Sequence, residues 1–328
     1  MTRFFLDNNE YVTLAVKFDR AAPALLETAT RLCRRLGKKL CLLHVLEPWV
    51  ELPLAGVFGQ GGDPLGRVSQ AMEASTRDLA LGRLAELAQT VSPEISVRTV
   101  VVAGKPIERI GSEAENVGTC LLIVGASYNG ARLLPQGLSL ALSLMAGAPV
   151  PVLALDAMRT PRPEMNKLIL MLADDLGAQT ETAVEFAYAL ATALGNTTLY
   201  HVHVNSLSYA SLETGLAAAA ASGHTRDDEV PGVADELYQA LTRRLGEALE
   251  ERGADQRDYL EAAGGTCITE VLTGDVAQQL GDLIQTTNPA LLIFGRHRAL
   301  QMRPFFIGRL PYRTMLAFKC PVVVVPGE

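Results

Sequence analysis

Two glycines near the end of the chain, Gly295 and Gly308, stand among Arg296, Arg298, Arg303, Arg309 and Arg313, and these are the residue types best suited to holding an anion. Glycine lets a phosphate approach main-chain N–H groups closely. Guanidinium binds phosphate through two parallel hydrogen bonds. A solvated face or salt bridges would use the same arginines, and simple turns the same glycines. Earlier in the chain, Asp174 and Asp175 follow the apolar run Leu168–Ala173, and Gly274 follows another. Either carboxylate can accept a hydrogen bond from a sugar hydroxyl or an amino group. A helix cap or turn would suit them equally.

Other constellations fall short of their motifs. His201 and His203 share one face of a strand, as a metal pair would, but no third ligand has recognisable spacing. The run Gly125-Ala126-Ser127-Tyr128-Asn129-Gly130 misses the G-x-S-x-G nucleophile elbow, and Ala131 stands where a phosphate-binding loop needs lysine. No acid, base and nucleophile form a set. The expectation is therefore binding without catalysis and with no metal.

The elements that must position these residues occur twice. Subtracting 170 maps Gly274 to Gly104, Leu291-Leu292-Ile293 to Leu121-Leu122-Ile123, Gly295 to Gly125 and Pro321 to Pro151. Within each copy, apolar runs of strand length alternate with amphipathic helical stretches. Such a β-α-β-α-β-α-β-α-β order favours right-handed crossovers and a parallel sheet covered on both faces. The expected fold is α/β, with two doubly wound five-stranded parallel-sheet domains, 1–158 and 168–328, joined by the linker 159–167. Near the start of each copy the offset is read as 157, from His44-Val45 against His201-Val202. Thirteen extra residues must then enter the second copy, and Ser206–Val230, with its alanine-rich run, is read as the loop that absorbs them.

Composition excludes several functions. Lys plus Arg minus Asp plus Glu is 29 − 36 = −7, so no basic field draws nucleic acid. The five cysteines are odd in number and share no C-x-x-C spacing, which argues against a disulfide framework and points to a reducing cytoplasm. Leu138–Leu155 carries no charge, but Pro149 and Pro151 break it as a spanning helix. Neither a membrane nor a nucleic acid is an expected partner.

The chain resembles the universal stress protein family over nearly its whole length, in two copies. The marks are an acidic residue after the first strand, an LLHV-like second strand, a V-x-x-G turn after the third, and G-x-x-G-x(9)-G-[S/T] after the fourth. In ATP-binding members a motif similar to the last cradles phosphates, and the acid lies by adenine and ribose. In the second copy Asp174 or Asp175 supplies the acid, Gly274 the turn, and Gly295 and Gly308 the first and third glycines. Arg298 replaces the second glycine and Arg309 the Ser or Thr. In the first copy Lys17 stands at the acid position and Gly104 at the turn. Gly125 and Ser139 fit there, whereas Tyr128 and Leu138 replace glycines. The resemblance implies an adenine-nucleotide alpha hydrolase-like fold, a role in stress adaptation, and ATP or another adenine nucleotide held by the second copy. It also implies that the terminal strands PVLAL and PVVVVP pair at their edges, here within one chain as a pseudo-dimer, with a further homodimer left open. The alternative is a protein-interaction module, both sites degenerate, that presents the loop near Gly59 and the insert near Ala219.

Overall fold

The structure, a computed structural model, describes residues 5–47, 64–126, 140–156, 168–222, 230–296, 311, 314, 317, 318 and 320–327. The chain divides into two compact units, Phe5–Thr160 and Pro161 onward. The first unit runs α1 (Phe5–Asn8), β1 (Tyr11–Ala15), α2 (Ala22–Leu36), β2 (Lys39–Leu46), α3 (Pro64–Gln89), β3 (Val97–Ala103), α4 (Pro106–Asn116), β4 (Thr119–Gly125), α5 (Leu140–Gly147) and β5 (Val152–Leu155). Its strands lie in the order β3-β2-β1-β4-β5, all parallel. Sequence punctuation sets the ends. Proline opens α2 and α4, where its missing N–H costs nothing, and Gly37 closes α2 in the left-handed region at φ 63°.

The second unit runs β6 (Leu168–Ala173), a 3-10 turn at Ala178–Thr180, α6 (Glu181–Leu194), β7 (Thr197–Asn205), α7 (Tyr209–Ala221), α8 (Val230–Glu251), α9 (Ala254–Ala262), β8 (Thr266–Thr273), α10 (Val276–Thr287), β9 (Leu291–Arg296) and β10 (Val322–Pro326). Its order is β8-β7-β6-β9-β10, again parallel throughout. The central strands are buried on both faces, which is why β4 and β9 read as continuous apolar runs rather than alternating ones. α6 buries Ala183, Val184, Phe186, Ala187, Tyr188, Leu190 and Ala191 against the sheet.

Strand register corrects two expectations. His44 pairs with Val101 and His203 with Val271, positions 170 apart, so His44 corresponds to His203 and not to His201. The offset at the second strand is therefore 159, and eleven residues enter rather than thirteen. The dipeptide His-Val occurs at 201 and again at 203. Matching by identity alone chose the wrong one, because a two-residue slip leaves every side chain on the same face. Nor is the insert a loop throughout. Tyr209–Ala221 is helical, with the Ser208 hydroxyl accepting from the Ser211 N–H, and its alanines are the strongest helix formers. Among the described residues no helix is long and apolar enough to cross a membrane.

Candidate ligand site at the carboxyl ends of the strands

In the second unit the chain leaves β6 through Asp174 and Asp175 and turns into α6 at Thr180. Asp174 is 3% exposed. Its Oδ1 accepts from the Leu176 N–H and the Thr180 hydroxyl, each at 2.9 Å. Its Oδ2 lies 3.1 Å from His201 Nε2 and 2.8 Å from Arg252 Nε. Burial alone would raise this carboxyl, but the His201 hydrogen bond, the Arg252 charge and the Leu176 N–H outweigh it and hold it below its usual range. Arg252 also donates to the Gly177 carbonyl and, at 3.0 Å, to the Thr180 hydroxyl.

Behind Asp174 lies a chain of buried polar contacts. A carboxylate can only accept, so His201 Nε2 carries a proton, and Nδ1 of the same ring lies 3.2 Å from the Tyr188 hydroxyl. That hydroxyl lies 3.1 Å from the Cys267 thiol. His201 and Tyr188 are fully buried, and burial pushes the Tyr188 phenol well up. The two strand histidines thus serve separate bonds. His203 Nδ1 donates to the Asp174 carbonyl at 2.9 Å, as His44 does to the Val16 carbonyl at 2.8 Å.

Asp174, Asp175 and Gly295 converge on Thr180. The Thr180 hydroxyl also reaches Asp175 Oδ1 at 2.8 Å, and a Cβ on Gly295 would lie 2.5 Å from the Thr180 methyl. Gly295 is therefore required for close packing. Gly274 is required for its backbone, with φ 132°, and its N–H donates to the Asn205 carbonyl at 2.9 Å. Gly104 repeats that turn, with φ 141° and its N–H on the Leu46 carbonyl at 2.9 Å. Gly125 ends β4 beside Leu25. Arg296 is buried at the end of β9, and desolvation lowers its pKa. Arg298, Gly308, Arg309, Tyr128, Leu138 and Ser139 lie outside the described residues, as do Arg303 and Arg313.

The first unit holds what sequence reasoning missed. A cavity of about 700 Å³ opens at the carboxyl ends of β1, β2 and β3. Val16, Leu43, Leu46 and Ile110 give it apolar walls, with Lys17, His44, Glu47 and Arg77 among its polar lining. Arg77 comes from the crossover helix α3 and Arg252 from the turn after α8, both far along the chain from β1 and β6, so no local motif announces them. The repeated His-Val was the one signal that could have located His44. Among the described residues no group of His, Cys, Asp and Glu is placed to hold a metal.

The model of the universal stress protein family matches residues 9–156 and again 165–326. The chain belongs to the universal stress protein family. Its two matched stretches make it a tandem member. A universal stress protein from Archaeoglobus fulgidus DSM 4304 has 14% identity and a TM-score of 0.62, covering 99% of this chain and 98% of that one. A functionally unknown protein from Pseudomonas aeruginosa PAO1 has 14% identity and a TM-score of 0.58, covering 98% and 94%. A putative universal stress protein from Pseudomonas aeruginosa UCBPP-PA14 has 14% identity and a TM-score of 0.57, covering 98% and 95%. At such identity the likeness is one of fold. No curated protein sequence matches the chain.

Proposed function

We propose that this tandem universal stress protein acts in stress adaptation as a cytoplasmic binding protein, without catalysis, and that its ligand is an adenine nucleotide. The observation that carries the reading is Asp175, exposed where the chain leaves β6 in the second unit; the cavity at the same end of the first unit adds that this end of the fold can leave a space within the size range of small-molecule sites. Open parallel sheets bind ligands beyond the carboxyl ends of their strands. The second unit keeps the acid and the glycines that suit a nucleotide, namely Asp175, Gly274 and Gly295, with Arg298, Gly308 and Arg309 in the sequence that follows. Asp175 takes the ribose role here, because it is exposed, with Oδ1 accepting from the Gly177 N–H, while Asp174 is buried inside the fold. In the first unit Lys17 replaces that acid and cannot accept from a ribose hydroxyl.

Titration calorimetry with ATP, ADP, AMP and cyclic AMP tests this. The expected result is a stoichiometry near one, at least tenfold weaker binding for Asp175→Ala, and little change for Lys17→Glu. No heat and no thermal shift with any of the four sinks the nucleotide reading. The internal bonding of Asp174 favours a second reading, in which the buried acid serves only stability and the chain is a protein-interaction module. Wild-type protein that binds no nucleotide yet keeps a partner through charcoal treatment would support it.

A further inference from the structure

Asn205 closes β7 at a position whose counterpart lines a cavity. Leu46 pairs with Ala103 and accepts the Gly104 N–H; Asn205 pairs with Thr273 and accepts the Gly274 N–H, each at 2.9 Å. The two residues are thus equivalent, and Leu46 is part of the first-unit lining. In the second unit the apolar leucine has become an amide. That amide is 91% buried, since Asn205 is 9% exposed. Its Oδ1 accepts from the Leu207 N–H at 3.0 Å. Among the described residues its Nδ2 has no hydrogen-bond partner. Flipping the amide does not help, because it would set Nδ2 against the Leu207 donor.

Buried polar atoms without partners are few in folded proteins, and each calls for a reason. Leucine at the same place in the first copy supplies a shape that the fold accepts. An amide kept there at a cost to the empty protein gains its reason when something brings an acceptor. We propose that Asn205 is a specificity-determining residue of the second unit, its Nδ2 donating to an acceptor on the ligand, a ring nitrogen or a carbonyl oxygen. This rests on the reading that the carboxyl ends of the second unit's strands hold a ligand. The two copies then differ in kind. The second recognises a polar ring edge through Asn205, whereas the first places the apolar Leu46 at the same position.

The test uses the full chain with Asn205→Leu and Asn205→Asp, and AMP as the probe. Asn205→Leu removes the unpaired donor together with the Oδ1 acceptor of the Leu207 N–H, so thermal unfolding of the empty protein is followed alongside binding to show that the variant is folded. Its affinity for AMP is expected to fall at least tenfold, as is that of Asn205→Asp, which offers an acceptor where a donor is needed. AMP affinity of Asn205→Leu and Asn205→Asp within twofold of wild type would overturn the proposal. If Asp175→Ala weakens AMP while Asn205→Leu does not, the ligand reading stands and the role of Asn205 fails. If wild type binds no AMP, both fail.

Discussion

Asp174 shows how one side chain can be spent on structure at a place where ligand chemistry is expected. Its carboxylate is the common partner of a backbone N–H, a hydroxyl, an imidazole and a guanidinium drawn from 27 to 78 residues further on. Removing one member of such a buried set leaves the others unpaired, which costs far more than the set contributes over an apolar substitute. Asp174→Asn should therefore destabilise the second unit by about 3–5 kcal/mol, read from urea titration by circular dichroism. The sign of the pH effect follows from the lowered carboxyl. The folded chain holds Asp174 ionised to lower pH than the unfolded chain does, so its stabilisation is complete above the unfolded value of about 4. It is lost as pH falls through the folded value. The wild-type midpoint should drop across this acid range more steeply than that of Asp174→Asn; parallel curves would contradict the assignment.

At the scale of elements, strands and glycine turns were legible because their signals are local. Leu168–Ala173 and Thr119–Gly125 are apolar runs of strand length, and Gly104 and Gly274 mark turns that need positive φ. What the sequence hid was convergence. Thr180 looks like an ordinary residue before a helix, yet it binds both aspartates through its hydroxyl and packs its methyl on Gly295, 115 residues later. No spacing rule connects those positions. The α7 helix was hidden differently, since alanines without an apolar face carry no periodicity, and only propensity and the Ser208 cap speak for it. The Gly295 contact gives an element-level prediction. Gly295→Ala should cost about 1–3 kcal/mol through overpacking, and Thr180→Ser, which removes the crowding methyl but keeps the hydroxyl, should restore most of that loss in the double variant. Additive effects in the cycle would mean that the two residues are not coupled. A loss of nucleotide binding in a Gly295 variant is accordingly no proof of a phosphate contact, and Asp175→Ala or Asn205→Leu discriminates better.

For the whole molecule, duplication is what made the fold readable, and divergence is what made the site hard to read. The −7 charge and the repeat spacing were available at once. The cavity was not, because it depends on Lys17, His44 and Arg77 from three elements and lies in the copy whose motif is the poorer. Each unit ends its own strand order with an apolar strand, β5 or β10. An unpaired apolar edge invites pairing with another chain. Residues 168–328 expressed alone should therefore dimerise or aggregate in sedimentation measurements, whereas the full chain should not need a second copy for solubility. A half-chain that stays monomeric and soluble would remove the reason for expecting edge pairing within the intact protein.

The histidine-to-carbonyl bond shared by the two units also has a spectroscopic consequence. A carbonyl oxygen accepts only, so both His44 and His203 must carry their proton on Nδ1. Ring protons held in hydrogen bonds resonate apart from the amide envelope. The duplication has thus installed one magnetic resonance reporter per repeat, at the end of the second strand of each unit. A titrant that moves the His203 signal and leaves the His44 signal in place has found the second unit, and the reverse pattern marks the cavity of the first, without any label or substitution.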